Sequence, residues 1–434
     1  MKYYSLNQQS PKVSFKEATI KGQAPDKGLY FPESLPRLNK SWIAGINGMS
    51  NAAIAFDVIQ PYVGNDIPED ELRRIVEETV NFPSPLVQVN DHIFALELFH
   101  GPTLAFKDTG ARFMSRCLGY FAKERSEKIT VLVATSGDTG GAVANGFYEV
   151  DGVDVVILYP SGKVSSVQEK QLTALGKNIH ALEVNGTFDD CQRMVKQAFA
   201  DETLTQKKML TSANSINVAR WLPQQFYYFF AYKQWSQKDK PPVFSVPSGN
   251  FGNICAGLLA HISGLPAAHF IAACNVNDVV PRYLHSGNYE VKKALPTLSN
   301  AMDVGDPSNF VRVLQLFDNN FINLKKMLSG YTVTDAETKD TIKRVNQDTG
   351  YLPDPHGAVG YLSLERYLKQ HHDQKGIFLE TAHPVKFYDV VELVTGEKVP
   401  VPPAIESLLQ LPKQSIQIEA VYAALKEYLE KEDD

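Results

Sequence analysis

The stretch HGPTLAFKD, from His100 to Asp108, sets a single lysine between an apolar segment and the expected start of a helix. Asp108 or Thr109 is predicted to cap that helix, whose apolar residues recur at helical spacing: Phe113, Cys117, Leu118 and Phe121. Because the positive end of a helix dipole favours a neutral amine, we expect a lowered pKa for Lys107. A neutral amine can form a Schiff base. The alternative is a surface lysine whose stem covers apolar residues.

Short apolar runs alternate with amphipathic stretches beyond this lysine. Strands are predicted at 129–134, 153–159, 179–184, 243–246, 270–273 and 377–379. Helices are predicted at 68–80, 141–148, 165–175, 188–200, 218–235 and 253–262, with a peripheral charged helix at 416–431. This alternation predicts an α/β architecture in which helices cover both faces of parallel sheets.

Two of the predicted strands run into glycine-bearing loops that lead directly into helices. The first loop is TSGDTGG, residues 135–141, in which Ser136 and Thr139 offer hydroxyl donors to a carboxylate. The second is PSGNFGN, residues 247–253, whose glycines let several amide groups converge on one phosphate. In open α/β sheets, ligands bind beyond the carboxyl ends of the strands. Each loop alone is equally well explained as a tight turn, but the pair indicates anion binding.

Two common nucleotide-binding patterns are absent from the sequence. There is no G-x-G, so the dinucleotide fingerprint is missing. Neither Gly162 nor Gly176, each followed by lysine, has a glycine five positions earlier, so the Walker A motif is missing too. A lysine nucleophile, a carboxylate loop and a phosphate loop together meet the needs of pyridoxal phosphate.

The bulk composition is that of a globular protein with more than one domain. A chain of 434 residues is too long to fold around a single hydrophobic core. A net charge of -6 without a long basic run gives no support to nucleic-acid binding. The apolar runs are shorter than a membrane span, and the N-terminus lacks a signal-peptide pattern. The four cysteines are too widely spaced for a zinc site or redox dithiol, so we expect a cytoplasmic protein without a metal.

Three domains are predicted along the chain. Residues 1–95 form an N-terminal domain, residues 96–240 carry the lysine and the carboxylate loop, and residues 241–434 carry the phosphate loop and the C-terminal helices. The last two are expected to interleave. The prolines of KDKPP, residues 238–242, mark the expected hinge.

The motifs around these loops resemble those of threonine synthases of the long form, which are pyridoxal-phosphate enzymes. The resemblance rests on HGPT and FKD around Lys107, then on ATSGDTG, SINVARW, PSGNFGN and TAHP, with VSFKE and GLYFP near the start. It covers nearly the whole chain. It implies the tryptophan-synthase-like fold, fold type II, with parallel sheets covered by helices and an extra N-terminal domain.

The resemblance also implies roles for individual residues. Lys107 is then the catalytic, Schiff-base lysine, and Thr381 hydrogen-bonds the pyridine nitrogen of the cofactor. Five residues are then expected to hold the cofactor phosphate: Gly249, Asn250, Phe251, Gly252 and Asn253. Asp138 stands where many relatives of the wider fold have an asparagine facing the ring, and its role, ring contact or loop shaping, stays open.

The implied reaction converts O-phospho-L-homoserine and water to L-threonine and phosphate, the last step of threonine biosynthesis. The substrate-binding residues are then Ser136, Gly137, Asp138 and Thr139 for its carboxylate, and Lys163, Arg220 and Lys386 for its phosphate, with Arg112 and Arg116 as weaker candidates. Surface salt bridges explain each of these cations equally well. Two alternatives remain: a phospho-lyase that releases 2-ketobutyrate, and a non-catalytic binding protein of the same fold. The resemblance implies a monomer.

Overall fold

The strands of the computed structural model, which describes residues 1–431, form three sheets. In chain order they are β1 (Tyr3–Ser5), β2 (Tyr30–Pro32), β3 (Leu86–Gln88), β4 (Ile93–Glu97), β5 (Ile129–Ala134), β6 (Val153–Pro160), β7 (Ile179–Asn185), β8 (Met209–Thr211), β9 (Val243–Pro247), β10 (His269–Cys274), β11 (Leu328–Thr332), β12 (Gly376–Glu380) and β13 (Ile416–Glu419). The sheets have the orders β1-β2, β11-β10-β9-β12-β4-β3 and β13-β7-β6-β5-β8.

Helices connect and cover these strands. They are α1 (Phe15–Lys21), α2 (Lys40–Gly45), α3 (Asn51–Val63), α4 (Glu69–Thr79), α5 (Lys107–Ala122), α6 (Asp138–Phe147), α7 (Ser166–Thr173), α8 (Phe188–Ala200), α9 (Glu202–Lys207), α10 (Val218–Trp221), α11 (Gln225–Gln234), α12 (Gly252–Ile262), α13 (Val279–Ser286), α14 (Phe310–Leu316), α15 (Phe321–Met327), α16 (Asp335–Thr349), α17 (Pro355–Leu368), α18 (Tyr388–Thr395), α19 (Pro403–Gln410) and α20 (Tyr422–Lys431). Short 3₁₀ turns lie at Ile46–Gly48, Leu222–Gln224, Asn300–Met302 and Pro384–Phe387.

Both large sheets are built from parallel strands. Every pair in the five-stranded sheet is parallel, and in the six-stranded sheet only β3 runs antiparallel to its neighbour β4. All residues of β5, β9, β10 and β12 are buried, because helices cover both faces. The α/β prediction and all six predicted strands are therefore confirmed, each to within one residue at either end.

Two predicted helices differ from the structure. The helix predicted at 218–235 is divided into α10, a 3₁₀ turn and α11, because Pro223 in that turn has no amide hydrogen to donate. The first residues of the helix predicted at 416–431 form strand β13, where isoleucine and polar residues alternate with the two-residue period of a strand. The remainder, α20, is not peripheral, since Leu425 and Leu429 are fully buried in the core beside α8.

A buried arginine ties the N-terminal segment to the rest of the molecule. Arg312 on α14 is fully buried and donates to the backbone oxygens of Tyr30 (2.9 Å) on β2 and Ile216 (2.6 Å) and to the side chain of Asn309 (2.7 Å). Its guanidinium also lies 4.4 Å from the ring centroid of Trp221. Burial lowers the pKa of Arg312 to about 10, so the guanidinium stays charged at neutral pH.

The division into three domains stays a prediction. A boundary after residue 95 falls inside β4, whose neighbour β12 comes from the third predicted segment. The five-stranded sheet likewise takes β13 from that segment, in line with the expected interleaving. None of the helices within residues 1–431 is long and apolar enough to cross a bilayer.

Candidate active site

Lys107 is the first residue of α5, and its loop is bound to the segment that follows β12. The amide of Phe106 donates to the backbone oxygen of Thr381 (2.9 Å), and the amide of His383 donates to that of Leu104 (3.0 Å). Leu104 has a left-handed φ of 58°, a conformation that costs free energy and that the surrounding bonds hold in place. The predicted lysine and the predicted ring partner Thr381 therefore lie on adjacent backbone segments.

The predicted cap of α5 is wrong. Asp108 and Thr109 lie inside the helix. The residue at the N-cap position is Phe106, and no side chain caps the helix there. The carboxylate of Asp108 instead accepts from the amide (2.9 Å) and the hydroxyl of Thr103. A side chain at Gly101 would clash with it, since an added Cβ would lie 2.4 Å from that carboxylate. Asp108 thus fixes the bend of the loop that presents Lys107.

The carboxylate loop joins β5 to α6, which begins at Asp138, three residues earlier than predicted. The hydroxyl oxygen of Thr135 accepts from the amides of Gly137 (3.0 Å) and Gly140 (2.9 Å) and so fixes the turn. Three of the four predicted residues line the cleft: Ser136, Asp138 and Thr139. The fourth, Gly137, packs against Gln168, where an added Cβ would lie 2.5 Å from the side chain.

The second loop joins β9 to α12 and is shaped to receive an anion. Within residues 1–431, no acceptor contacts the backbone amides of residues 249–253, which precede or begin a helix. Phe251 has a left-handed φ of 62°, which turns the chain, and its side chain is buried against Phe310. An added Cβ at Gly249 would lie 2.8 Å from the backbone oxygen of Ala301. Consecutive free amides at a helix N-terminus fit a phosphate group.

The amine of Lys107 lies between charges of both signs. Its nitrogen is 3.9 Å from Oδ2 of Asp138, and its side chain is only 17% exposed. Burial is the main cause of its lowered pKa; Lys386 and Arg220 act in the same direction, and Asp138 and Asp354 oppose them. The predicted lowering of this pKa is therefore present, but burial rather than the helix dipole is its main cause.

The five predicted cations fall into three groups. Arg220 is buried on α10, lines the cleft, and has an Nε without a hydrogen-bond partner within residues 1–431, while exposed Lys163 lies at the rim. Lys386 is fully buried, is bound to Asp138 (2.8 Å) and does not line the cleft; its predicted contact with the substrate stays a prediction. Arg112 and Arg116 bind the backbone and the side chain of Glu78, respectively, away from the cleft lining.

The cleft also contains residues that sequence reasoning missed. It encloses about 2080 Å³ between the carboxyl ends of the two large sheets, and its lining includes Ser215, His356 and the turn Asn300–Met302. Below it, Gln168 donates to Asp138 (2.9 Å) and Gln171 accepts from Lys386 (3.0 Å). These glutamines sit one helical turn apart on α7, a spacing too common to mark a site.

Comparison with known proteins assigns the family. Residues 76–379 match a family model described as pyridoxal-phosphate dependent enzyme. Residues 2–80 match the threonine synthase N terminus, and residues 357–429 match the threonine synthase C-terminal model. A threonine synthase from Haemophilus influenzae is 46% identical over 99% of this chain and 100% of its own. The chain belongs to the threonine synthase family.

Solved threonine synthase structures have the same fold. The Escherichia coli crystal structure superimposes with a TM-score of 0.92 at 42% identity and covers 100% of both chains. The Brucella melitensis structure, which is of a pyridoxal-phosphate-bound threonine synthase, has a TM-score of 0.93 at 36% identity over 99% of both chains. These comparisons confirm the predicted fold type II with an extra N-terminal region. The role of each threonine synthase site residue in this chain stays a prediction.

Proposed function

We propose that this chain converts O-phospho-L-homoserine and water to L-threonine and inorganic phosphate, with pyridoxal phosphate as its cofactor. One observation carries the proposal: a partly buried lysine amine, a run of amides without an acceptor among residues 1–431 and a buried arginine line the same cleft. The amine suits an aldehyde, the amides suit the cofactor phosphate, and the arginine suits the phosphate of the substrate.

The residues present fit the cofactor. When bound, pyridoxal phosphate takes up the negative charge left when a proton leaves the α carbon of an amino acid. Residues 249–253 would hold its phosphate, and the hydroxyl of Thr381 would contact its ring nitrogen. A hydroxyl, unlike a carboxylate, does not force this nitrogen to be protonated. Proton transfer therefore depends more heavily on the chain itself.

Lys107 carries the proton transfers in this proposal. Its neutral amine takes the α proton of the substrate, passes it to the phosphate group of the substrate, and then takes a β proton as that phosphate leaves from the γ carbon. The β proton returns to the γ carbon, the oxygen of water bonds to the β carbon, and the proton that water loses returns through Lys107 to the α carbon, which yields threonine. Ser136 and Thr139 donate hydrogen bonds to the substrate carboxylate, and Arg220 holds the substrate phosphate with Lys163 at the rim.

Product analysis tests the reaction. The purified chain loaded with pyridoxal phosphate is incubated with O-phospho-L-homoserine, and threonine, 2-ketobutyrate and phosphate are measured. We expect threonine and phosphate in equal amounts. Phosphate with 2-ketobutyrate and no threonine would mean a phospho-lyase, and no turnover together with no adduct at Lys107 after borohydride treatment would mean a binding protein.

Replacing Arg220 with methionine is expected to lower kcat/KM for O-phospho-L-homoserine by about 10- to 150-fold. The estimate corresponds to hydrogen bonds to a charged group, roughly 1.5–3 kcal/mol. Most of the change should appear in KM, and inhibition by inorganic phosphate should weaken in parallel. Steady-state kinetics with and without phosphate measure both effects.

Arg112→Met is the matched control for this variant. Arg112 lies on α5 and donates to the backbone oxygen of Glu78 (2.6 Å), so its loss should leave KM close to that of the unchanged protein. An unchanged KM in Arg220→Met, or an equal rise in both variants, would remove Arg220 from the substrate site.

We also propose a cytoplasmic monomer. Residues of one chain line the cleft on both sides, which supports a monomer. The four cysteines are unpaired and buried, which supports a reducing compartment, and burial raises the pKa of each thiol. Sedimentation of the purified protein at several concentrations tests the oligomeric state.

A further inference from the structure

Lys386 is a fully buried cation whose three hydrogen-bond donors are all used. Its ammonium lies 2.8 Å from Oδ1 of Asp138, and it also donates to the backbone oxygen of Thr103 (2.8 Å) and to Oε1 of Gln171 (3.0 Å). A buried charge without a partner is costly, so the contact with Asp138 stabilises the buried ammonium of Lys386. An ammonium bound in this way has no donor left for a substrate phosphate.

Asp138 lies between two amines. Its Oδ1 accepts from Lys386 and from Nε2 of Gln168 (2.9 Å), whereas its Oδ2 faces Lys107 at 3.9 Å. The closer and better bonded amine is that of Lys386. Burial would raise the pKa of Asp138, but the positive charge of Lys386 and the hydrogen bonds from Lys386 and Gln168 act against burial and lower it, so Asp138 is a carboxylate at neutral pH.

The charges facing Lys107 balance. They are the carboxylates of Asp138 on α6 and Asp354 before α17, and the cations of Lys386 after β12 and Arg220 on α10. If Lys386 carried no charge, Asp138 and Asp354 would face Lys107 with only Arg220 to oppose them. An ammonium at Lys107 would then be stabilised, and an ammonium is neither a nucleophile nor a base.

We propose that Lys386 is a positioning residue, whose ammonium binds Asp138 and thereby favours the neutral form of the Lys107 amine. Lys386 then acts on the reaction through Asp138 rather than by touching the substrate. The link to catalysis rests on the proposed function, but the effect on Lys107 belongs to the chain alone. It can therefore be measured without cofactor or substrate.

Competitive labelling of the full-length chain before it is loaded with cofactor tests the proposal. A limiting amount of acetic anhydride is added across a range of pH, and mass spectrometry gives the acetylated fraction of Lys107, whose midpoint reports its titration. Lys386→Met, which keeps the length and removes the charge, is expected to raise this midpoint by about one pH unit or more. Asp138→Asn is expected to lower it, and Lys386→Arg to leave it near that of the unchanged protein.

The double variant Lys386→Met with Asp138→Asn separates charge from packing. Because it removes both members of the pair, it should bring the midpoint back toward that of the unchanged protein. In the enzyme loaded with pyridoxal phosphate, the acidic limb of the plot of kcat against pH should shift to higher pH in Lys386→Met but not in the double variant. An unchanged Lys107 midpoint in Lys386→Met, or shifts in the same direction in Lys386→Met and Asp138→Asn, would overturn the proposal. The two tests are separate. Product analysis tests the proposed reaction, whereas labelling tests only the titration of Lys107, so either proposal can fail without the other.

Discussion

Lys107→Ala is expected to abolish threonine formation, with a loss of at least about 10³- to 10⁴-fold in kcat. The variant removes the amine that lies at the start of α5 beside Asp138 and, in the proposed mechanism, both the cofactor attachment and the base. The nearby amine of Lys386 cannot take the place of Lys107 in this variant, because three hydrogen bonds hold it. Threonine release is followed over long incubations.

The control for this variant lies at the other end of the same helix. Lys123 follows the last residue of α5 and is exposed, so Lys123→Ala should keep full activity and the same circular dichroism. Borohydride treatment followed by peptide mapping should find the cofactor on residue 107 in the control and on no residue in Lys107→Ala. Substantial threonine formation by Lys107→Ala would refute the assignment.

Arg312→Met is expected to lower the free energy of unfolding by about 3 kcal/mol. The substitution leaves the buried carbonyl oxygen of Tyr30 and the partly buried one of Ile216 without this donor, at roughly 1–3 kcal/mol for a buried group and less for a partly buried one, and removal of a buried charge partly offsets the cost. Urea denaturation measures the change. Since Ile216 lines the cleft, affinity for pyridoxal phosphate should fall as well.

Arg344→Met provides the comparison for a surface cation. Arg344 forms a partly exposed ion pair with Glu365 (2.8 Å), a kind of contact that contributes about 0–1 kcal/mol. Its loss should leave the unfolding curve nearly unchanged and the cofactor affinity intact. Equal destabilisation in the two variants would show that Arg312 does not join the N-terminal segment to the cleft.

The predictable part of the fold is the part with strong local patterns. The continuous apolar runs of β5 and β9 and the capped, amphipathic helix Phe188–Ala200 were predicted nearly to the residue. Strand β4 was missed, because its nearby partner β3 has only three residues and its other partner β12 is distant in sequence, so that no local pattern reports either pairing. Strand β13 was mistaken for helix, because its four residues precede a genuinely helical stretch and give too short a pattern to separate.

Within the candidate site, main-chain features were easier to predict than side-chain partnerships. The glycine loops and Lys107 are visible as motifs, since backbone turns require particular residue types. The partner of Lys386 is not visible, because the contact with Asp138 joins residues that only the folded chain brings together. The position of Lys386 beside a motif suggested a ligand contact, but it gave no sign of the buried ion pair with Asp138.

The strand order of the six-stranded sheet also governs when the molecule can fold during its synthesis. Strand β12 lies between β9 and β4, so β4, which pairs on its other edge with β3, waits for a second partner that is made near the end of the chain. At ordinary rates of translation this delay is on the order of tens of seconds. Unpaired strand edges promote aggregation during that time. Because Lys107 is made long before β12 and Thr381 directly after it, the proposed cofactor site can assemble only when translation is nearly complete.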